Sequence, residues 1–173
     1  NGLGSEIQDS AVVDSLGHFK LSYNVQQIGM GYFKASDNSI LPIILDQNSF
    51  VLSGKHLQEK ATLRFENSPE NQSYYDYLVA NEQREAVLSG WKYLLKQYEG
   101  MELFKGDQET IRYIENQVNQ TITSDESFIN KMPISSYTRY ILPIQNLIQS
   151  VAVTAKYYPE EIPNKLKQFR SID

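Results

Sequence analysis

The chain of 173 residues holds 40% apolar and 21% charged side chains, a balance that excludes intrinsic disorder and suits a domain able to bury its own core. Asp and Glu outnumber Lys and Arg by 21 to 16, a formal net charge of −5. The bases are scattered, so the counterion-releasing basic surface that nucleic-acid binding needs is missing. With no cysteine, disulfides, thiolate nucleophiles and zinc–thiolate sites are excluded as well.

Read in chain order, the first third has the signature of β structure. In residues 18–25, Phe19, Leu21, Tyr23 and Val25 alternate with His18, Lys20, Ser22 and Asn24, the period of a strand with one buried face. Ile28, Met30 and Tyr32 resume the alternation, and the close pair Gly29 and Gly31 reads as a bulge or a close backbone approach. Residues 36–39 (SDNS) form a turn signal, because Asp and Asn satisfy local backbone groups and tolerate positive φ. The run 40–45 follows as a buried strand in which Pro42 argues for an edge or a bulge. Residues 50–52 and 61–65 supply two further strands, which makes a small antiparallel sheet of four or five strands.

From Ser68 the period becomes helical. Ser68–Pro69 pairs a capping hydroxyl with proline at the first helical position. Val87, Leu88, Trp91, Leu94, Leu95 and Tyr98 form one apolar stripe, and Gly100 stands where a left-handed cap would end it. Asp107 can cap a next helix with the stripe Ile111, Ile114, Val118 and Ile122. Thr123 to Glu126 has capping-box spacing and opens a shorter helix that Pro133 closes. A terminal segment carries Ile162, Leu166, Phe169 and Ile172 on one face. The expectation is one α+β domain over residues 1–173, strand-rich over 12–66 and helix-rich over 68–173, with about five C-terminal helices.

Residues 140–155 (YILPIQNLIQSVAVTA) carry no formal charge. A spanning helix needs about 20 mostly apolar residues; this run is shorter and is interrupted by Gln145, Asn146, Gln149, Ser150 and Thr154. Helical spacing puts Ile144, Leu147, Ile148 and Val151 on one side and Asn146, Gln149 and Ser150 on the other. The run therefore reads as an amphipathic helix with a polar, uncharged outer face, begun or kinked by Pro143.

No catalytic constellation emerges. His18 and His56 belong to no paired-ligand spacing, so no metal or cofactor is expected. Glu82 with Glu85, and the acidic pairs at Asp107, Asp125 and Glu160, have the bland explanation of solvated faces and helix starts. Twelve tyrosines against one tryptophan are the unusual feature, since tyrosine joins a large apolar ring to a polar tip and suits binding surfaces. The expected binding surface is Tyr137, Tyr140, Asn146, Gln149, Ser150, Tyr157 and Tyr158. The function expected is a non-enzymatic protein-interaction domain, a component of a cell-envelope or surface assembly. It would bind another protein or itself, with no nucleic acid and no membrane span. The alternatives are a ligand-sensing or carrier domain with a tyrosine-lined pocket, and a hydrolase using a histidine with a carboxylate. The start at Asn1 and the two Asn-x-Ser/Thr sequons (Asn71, Asn119) lean toward an extracytoplasmic location, periplasmic, surface or secreted, and are compatible with a lipid anchor upstream.

Overall fold

The computed structural model describes residues 6–157, 159–163 and 167, with backbone alone at Val153, Thr154, Tyr157 and Glu161. The chain divides into two compact units, Asn1–Ser49 and Phe50–Asp173.

In the first unit, strands β1 (Gly29–Lys34) and β2 (Ile40–Leu45) pair antiparallel, with Tyr32 opposite Pro42. The turn falls at the SDNS signal: Asn38 takes a φ of 66 and Asp37 Oδ1 accepts the Ser39 N–H at 2.8 Å. Pro42 is tolerated because a two-stranded ribbon has only edges. The register runs without a bulge. Gly31 is instead a close approach, since a Cβ there would stand 2.5 Å from Leu45 Cδ1. Residues 18–25 keep the expected alternation, with Leu21, Tyr23 and Val25 half-buried between exposed neighbours, but form no strand. Asp9 accepts the Ser22 N–H at 2.7 Å, Phe19 stacks on Phe33 at 5.1 Å, and the Tyr23 hydroxyl donates to the Asn48 carbonyl. Side chains fix this segment where a ladder was expected. The hydrogen bonds from Ser22 and Ser10 also hold the Asp9 carboxyl below its ordinary pKa.

In the second unit, β3 (Val51–Ser53) pairs antiparallel with β4 (Arg64–Glu66). Three helices follow, α1 (Pro69–Gly100), α2 (Gln108–Asn130) and α3 (Tyr137–Tyr157). The expected four- or five-stranded sheet with about five helices is thereby corrected to two separate two-stranded sheets and three helices among the described residues. The reasons are local. Residues 60–62 turn into a 3₁₀ segment, which shortens the fourth strand. The free N–H of Phe65 is taken by Gln72 Oε1 at 3.0 Å, so β4 is bonded by a helix side chain. The expected helix start at Thr123 fails because Thr121 and Thr123 donate their hydroxyls to the Gln117 and Asn119 carbonyls, at 2.8 and 2.9 Å, and α2 runs on. Of the expected terminal helix, Leu166, Phe169 and Ile172 lie outside the described residues.

Several caps fall where the residue types place them. Ser68 precedes Pro69, although its hydroxyl accepts from the buried Asn71 Nδ2 at 2.8 Å rather than capping the backbone. Asp107 accepts the Thr110 N–H at 3.1 Å. Gly100 ends α1 without a positive φ; the chain stops being helical because Met101 is extended. The junction of α2 and α3 is built from a chain of caps. Arg139 Nη1 donates to the Met132 carbonyl at 2.8 Å, and Ser136 Oγ accepts the Arg139 N–H at 3.3 Å. Glu70, in the first turn of α1, accepts from Ser136 Oγ at 2.9 Å and from the Thr138 N–H at 2.8 Å. Its carbonyl also takes the fully buried Thr138 hydroxyl at 2.9 Å. The carboxylate of one helix start thus serves the unsatisfied donors of another. Replacing Glu70 by Ala should cost about 1–2 kcal/mol, lowering the melting temperature by roughly 2–8 °C for a chain this size. Glu70→Gln should recover part of it, and a circular dichroism melt unchanged in Glu70→Ala would contradict the assignment.

Candidate functional site

The best-ordered chemistry of the second unit lies where the three helices meet. Tyr77 of α1 is 1% exposed, and its hydroxyl donates to Asp125 Oδ2 of α2 at 3.0 Å while accepting from Asn146 Nδ2 of α3. Arg84, one helical stretch further along α1, pairs with the other oxygen of Asp125. Its guanidinium lies 5.3 Å from the Tyr77 ring centroid and 5.5 Å from that of Phe128, two rings that themselves meet edge-on at 5.7 Å. Next to this, the Tyr74 hydroxyl donates to Gln145 Oε1 at 3.0 Å. Tyr75 stacks on Phe65 at 4.9 Å, tying α1 to β4. Burial pushes the Tyr77 phenol up from 10.0 to about 12, Asn146 working the other way, and burial raises Tyr75 still further. The Tyr77 phenol is held neutral and donates to the Asp125 carboxylate.

The sequence-derived surface on α3 is only partly assembled. Tyr137 and Tyr140 do come together, with ring centroids 6.4 Å apart, Tyr137 half-buried and Tyr140 exposed. Gln149 is exposed and Ser150 half-buried. Asn146, expected on the outer face, is turned to α1 and Tyr77, and Ile148, expected inward, is 53% exposed. The helix is rotated from its expected setting because Gln145 and Asn146 satisfy two buried tyrosines. The side chain of Tyr157 and the whole of Tyr158 lie outside the described residues. Pro143 sits within α3, which begins at Tyr137. Among the described residues no helix is long and apolar enough to cross a membrane.

The other candidates are solvent-facing. The exposed His18 has its Nδ1 3.7 Å from Asp14, and His56 Nδ1 accepts the Gln58 N–H at 3.2 Å. No group of three or more His, Asp or Glu among the described residues could hold a metal ion. Glu82 pairs with Lys60. Asn71, the first sequon asparagine, is 0% exposed and closed to modification, whereas Asn119 is exposed on α2.

Beyond the junction, α1 and α2 continue as an antiparallel hairpin with no fully covered face. Every buried residue of α1 lies between Asn71 and Tyr77, and Ile114 alone is buried in α2. Of the expected α1 stripe, Leu88, Trp91, Leu95 and Tyr98 are half-buried, while Val87 is 51% and Leu94 41% exposed. Gln83, Val87, Gly90, Leu94 and Gln97 follow one another at alternating four- and three-residue spacing, the spacing of a single helical seam. The charges of this stretch, Glu82, Glu85, Lys92, Lys96 and Glu99, fall on other sides, and Arg84 is spent on Asp125. On α2, Tyr113, Asn116, Gln120, Ser124 and Ser127 make a second uncharged strip, a shallow depression along Asn116 to Ser127. Trp91 meets Tyr113 edge-on at 6.3 Å and so sets the two strips side by side.

This double strip was not singled out from sequence, although the stripe that borders it was. Comparison with protein-family models, with curated proteins and with solved structures finds no match.

Holding Tyr77 neutral has a consequence at high pH. Unfolded phenols ionise near 10 and this one near 12, so its contribution is full below pH 10 and is lost as the pH rises through 12. The melting temperature should fall across that window, and less steeply in Tyr77→Phe, which should be less stable at neutral pH by about 1–2 kcal/mol. An equal alkaline slope in both proteins would contradict the role given to this hydroxyl.

Proposed function

We propose that the chain is a non-enzymatic protein-interaction domain whose docking face is the uncharged side of the α1–α2 hairpin. The observation that carries the reading is the pair of uncharged strips from Gln83 to Gln97 and from Tyr113 to Ser127. Across them Val87, Leu94 and Tyr113 keep about half of their surface in water, forgoing about 1 kcal/mol each of burial. At the hairpin tip Leu103 is 83% exposed. An apolar line rimmed by Gln, Asn and Ser is the make-up of a docking core with a polar border.

The charged side of the same hairpin provides an internal control. A photo-crosslinking amino acid at Leu94, introduced in the native host, should form a protein adduct. The same group at Lys96, half a helical turn around α1, should form none. Adducts from both positions, or from neither, would contradict the reading.

A further inference from the structure

We infer that the chain folds where no asparagine-linked glycan is added to it, and so not in the lumen of a eukaryotic secretory pathway. The inference concerns the route by which the protein is made and does not depend on the docking face.

It starts from Asn71-Gln72-Ser73, one of the two acceptor sequons of the chain. A glycan hangs from the asparagine Nδ2 and is a bulky, solvated group that belongs on a surface. Here Asn71 is 0% exposed and its Nδ2 donates to Ser68 Oγ at 2.8 Å, with Ser68 itself buried. The asparagine cannot be turned outward alone. Its neighbour Glu70 accepts from Ser136 Oγ and the Thr138 N–H at the start of α3, and Thr138 is 0% exposed as well. Room for a sugar at this close-packed corner would have to come from undoing the junction of α1 and α3.

Burial does not protect the sequon, because of the order in which the chain is made. In a glycosylating lumen the sugar is transferred to the extended chain as it emerges, and transfer needs only the asparagine and a hydroxyl two residues on. The segment that closes the corner, Ser136 to Thr138, follows Asn71 by about 65 residues, roughly 3–13 s of synthesis. Through that interval Asn71 would be open to transfer, and a modified chain could not then bury it. The fold and the modification exclude each other.

The second sequon behaves differently. Asn119 is exposed on α2 and could carry a glycan without loss of the fold. Its sugar would lie over the depression along Asn116 to Ser127, an objection that rests on the docking face, whereas the one at Asn71 does not. In the sequence the two sequons lean toward an extracytoplasmic location; in the fold they argue against any such location whose export route adds glycans.

Protein taken from its native host should show, by intact mass, no sugar at either asparagine, and a glycan on either would overturn the inference. The physical conflict is tested by sending the full chain, behind a cleavable leader, through cultured mammalian cells. Asn71 should be glycosylated and most of the chain retained unfolded inside the cell. Ser73→Ala, which removes the sequon and keeps Asn71, should raise the secreted yield several-fold, with sugar on Asn119 alone. Made without a leader, Ser73→Ala should melt like the parent chain, since alanine suits a helix. Secretion of the folded parent chain, whether Asn71 is modified or bare, overturns the inference. Retention of Ser73→Ala does so too, because the glycan at Asn71 would then not be what prevents folding.

Discussion

Asp125 is the residue on which the helical unit turns. Its two oxygens are shared between the Tyr77 hydroxyl and the Arg84 guanidinium, and Tyr77 in turn takes a hydrogen from Asn146, so that a single carboxylate engages α1 twice and reaches α3 through one phenol. A charge and a phenol this enclosed are costly unless their bonds are met. Meeting them sets the rotation of α3 and the height at which α2 lies along α1. The cap chain of Glu70, Ser136 and Arg139 works from the other end of the same junction. Between them, the base of the unit has few alternative packings.

That junction also explains why the rest of the hairpin is bare. Glu70, Tyr74 and Tyr77, which bond α3, all lie in the first turns of α1. The helices nevertheless continue to Gly100 and back from Gln108, with Asp107 capping the return. A two-helix hairpin can close only the sides that face each other. Val87, Leu94 and Tyr113, apolar positions outside those sides, keep about half of their surface exposed. The absence of charge along the strip is what separates this face from an ordinary solvated helix surface, where Lys92, Lys96 and Glu99 show what the chain does when water is the only neighbour.

How much of this the sequence disclosed depends on whether the signal was local. The SDNS turn, the Ser68–Pro69 start and the Asp107 cap were readable because each is decided by residues a few positions apart. The alternation over 18–25 was real, yet alternation reports a half-buried extended segment and says nothing about a partner strand, which here is replaced by Asp9 and by aromatic stacking. Thr123 to Glu126 misled because the same hydroxyls that cap a helix can bond within one. On α3 the helical spacing sorted polar from apolar residues without knowing that Tyr74 and Tyr77 needed an acceptor and a donor from Gln145 and Asn146. Tertiary demand rotated the helix, and Asn146 left the surface it was expected to line. The double uncharged strip was invisible for the opposite reason: each half is unremarkable until Trp91 and Tyr113 bring them together.

The most direct measurement is a double-mutant cycle of Tyr77→Phe and Asp125→Asn, each variant and the pair unfolded in denaturant. The account predicts that the two losses are coupled by at least about 0.5 kcal/mol, because the phenol and the carboxylate bond each other. Losses that simply add would contradict it.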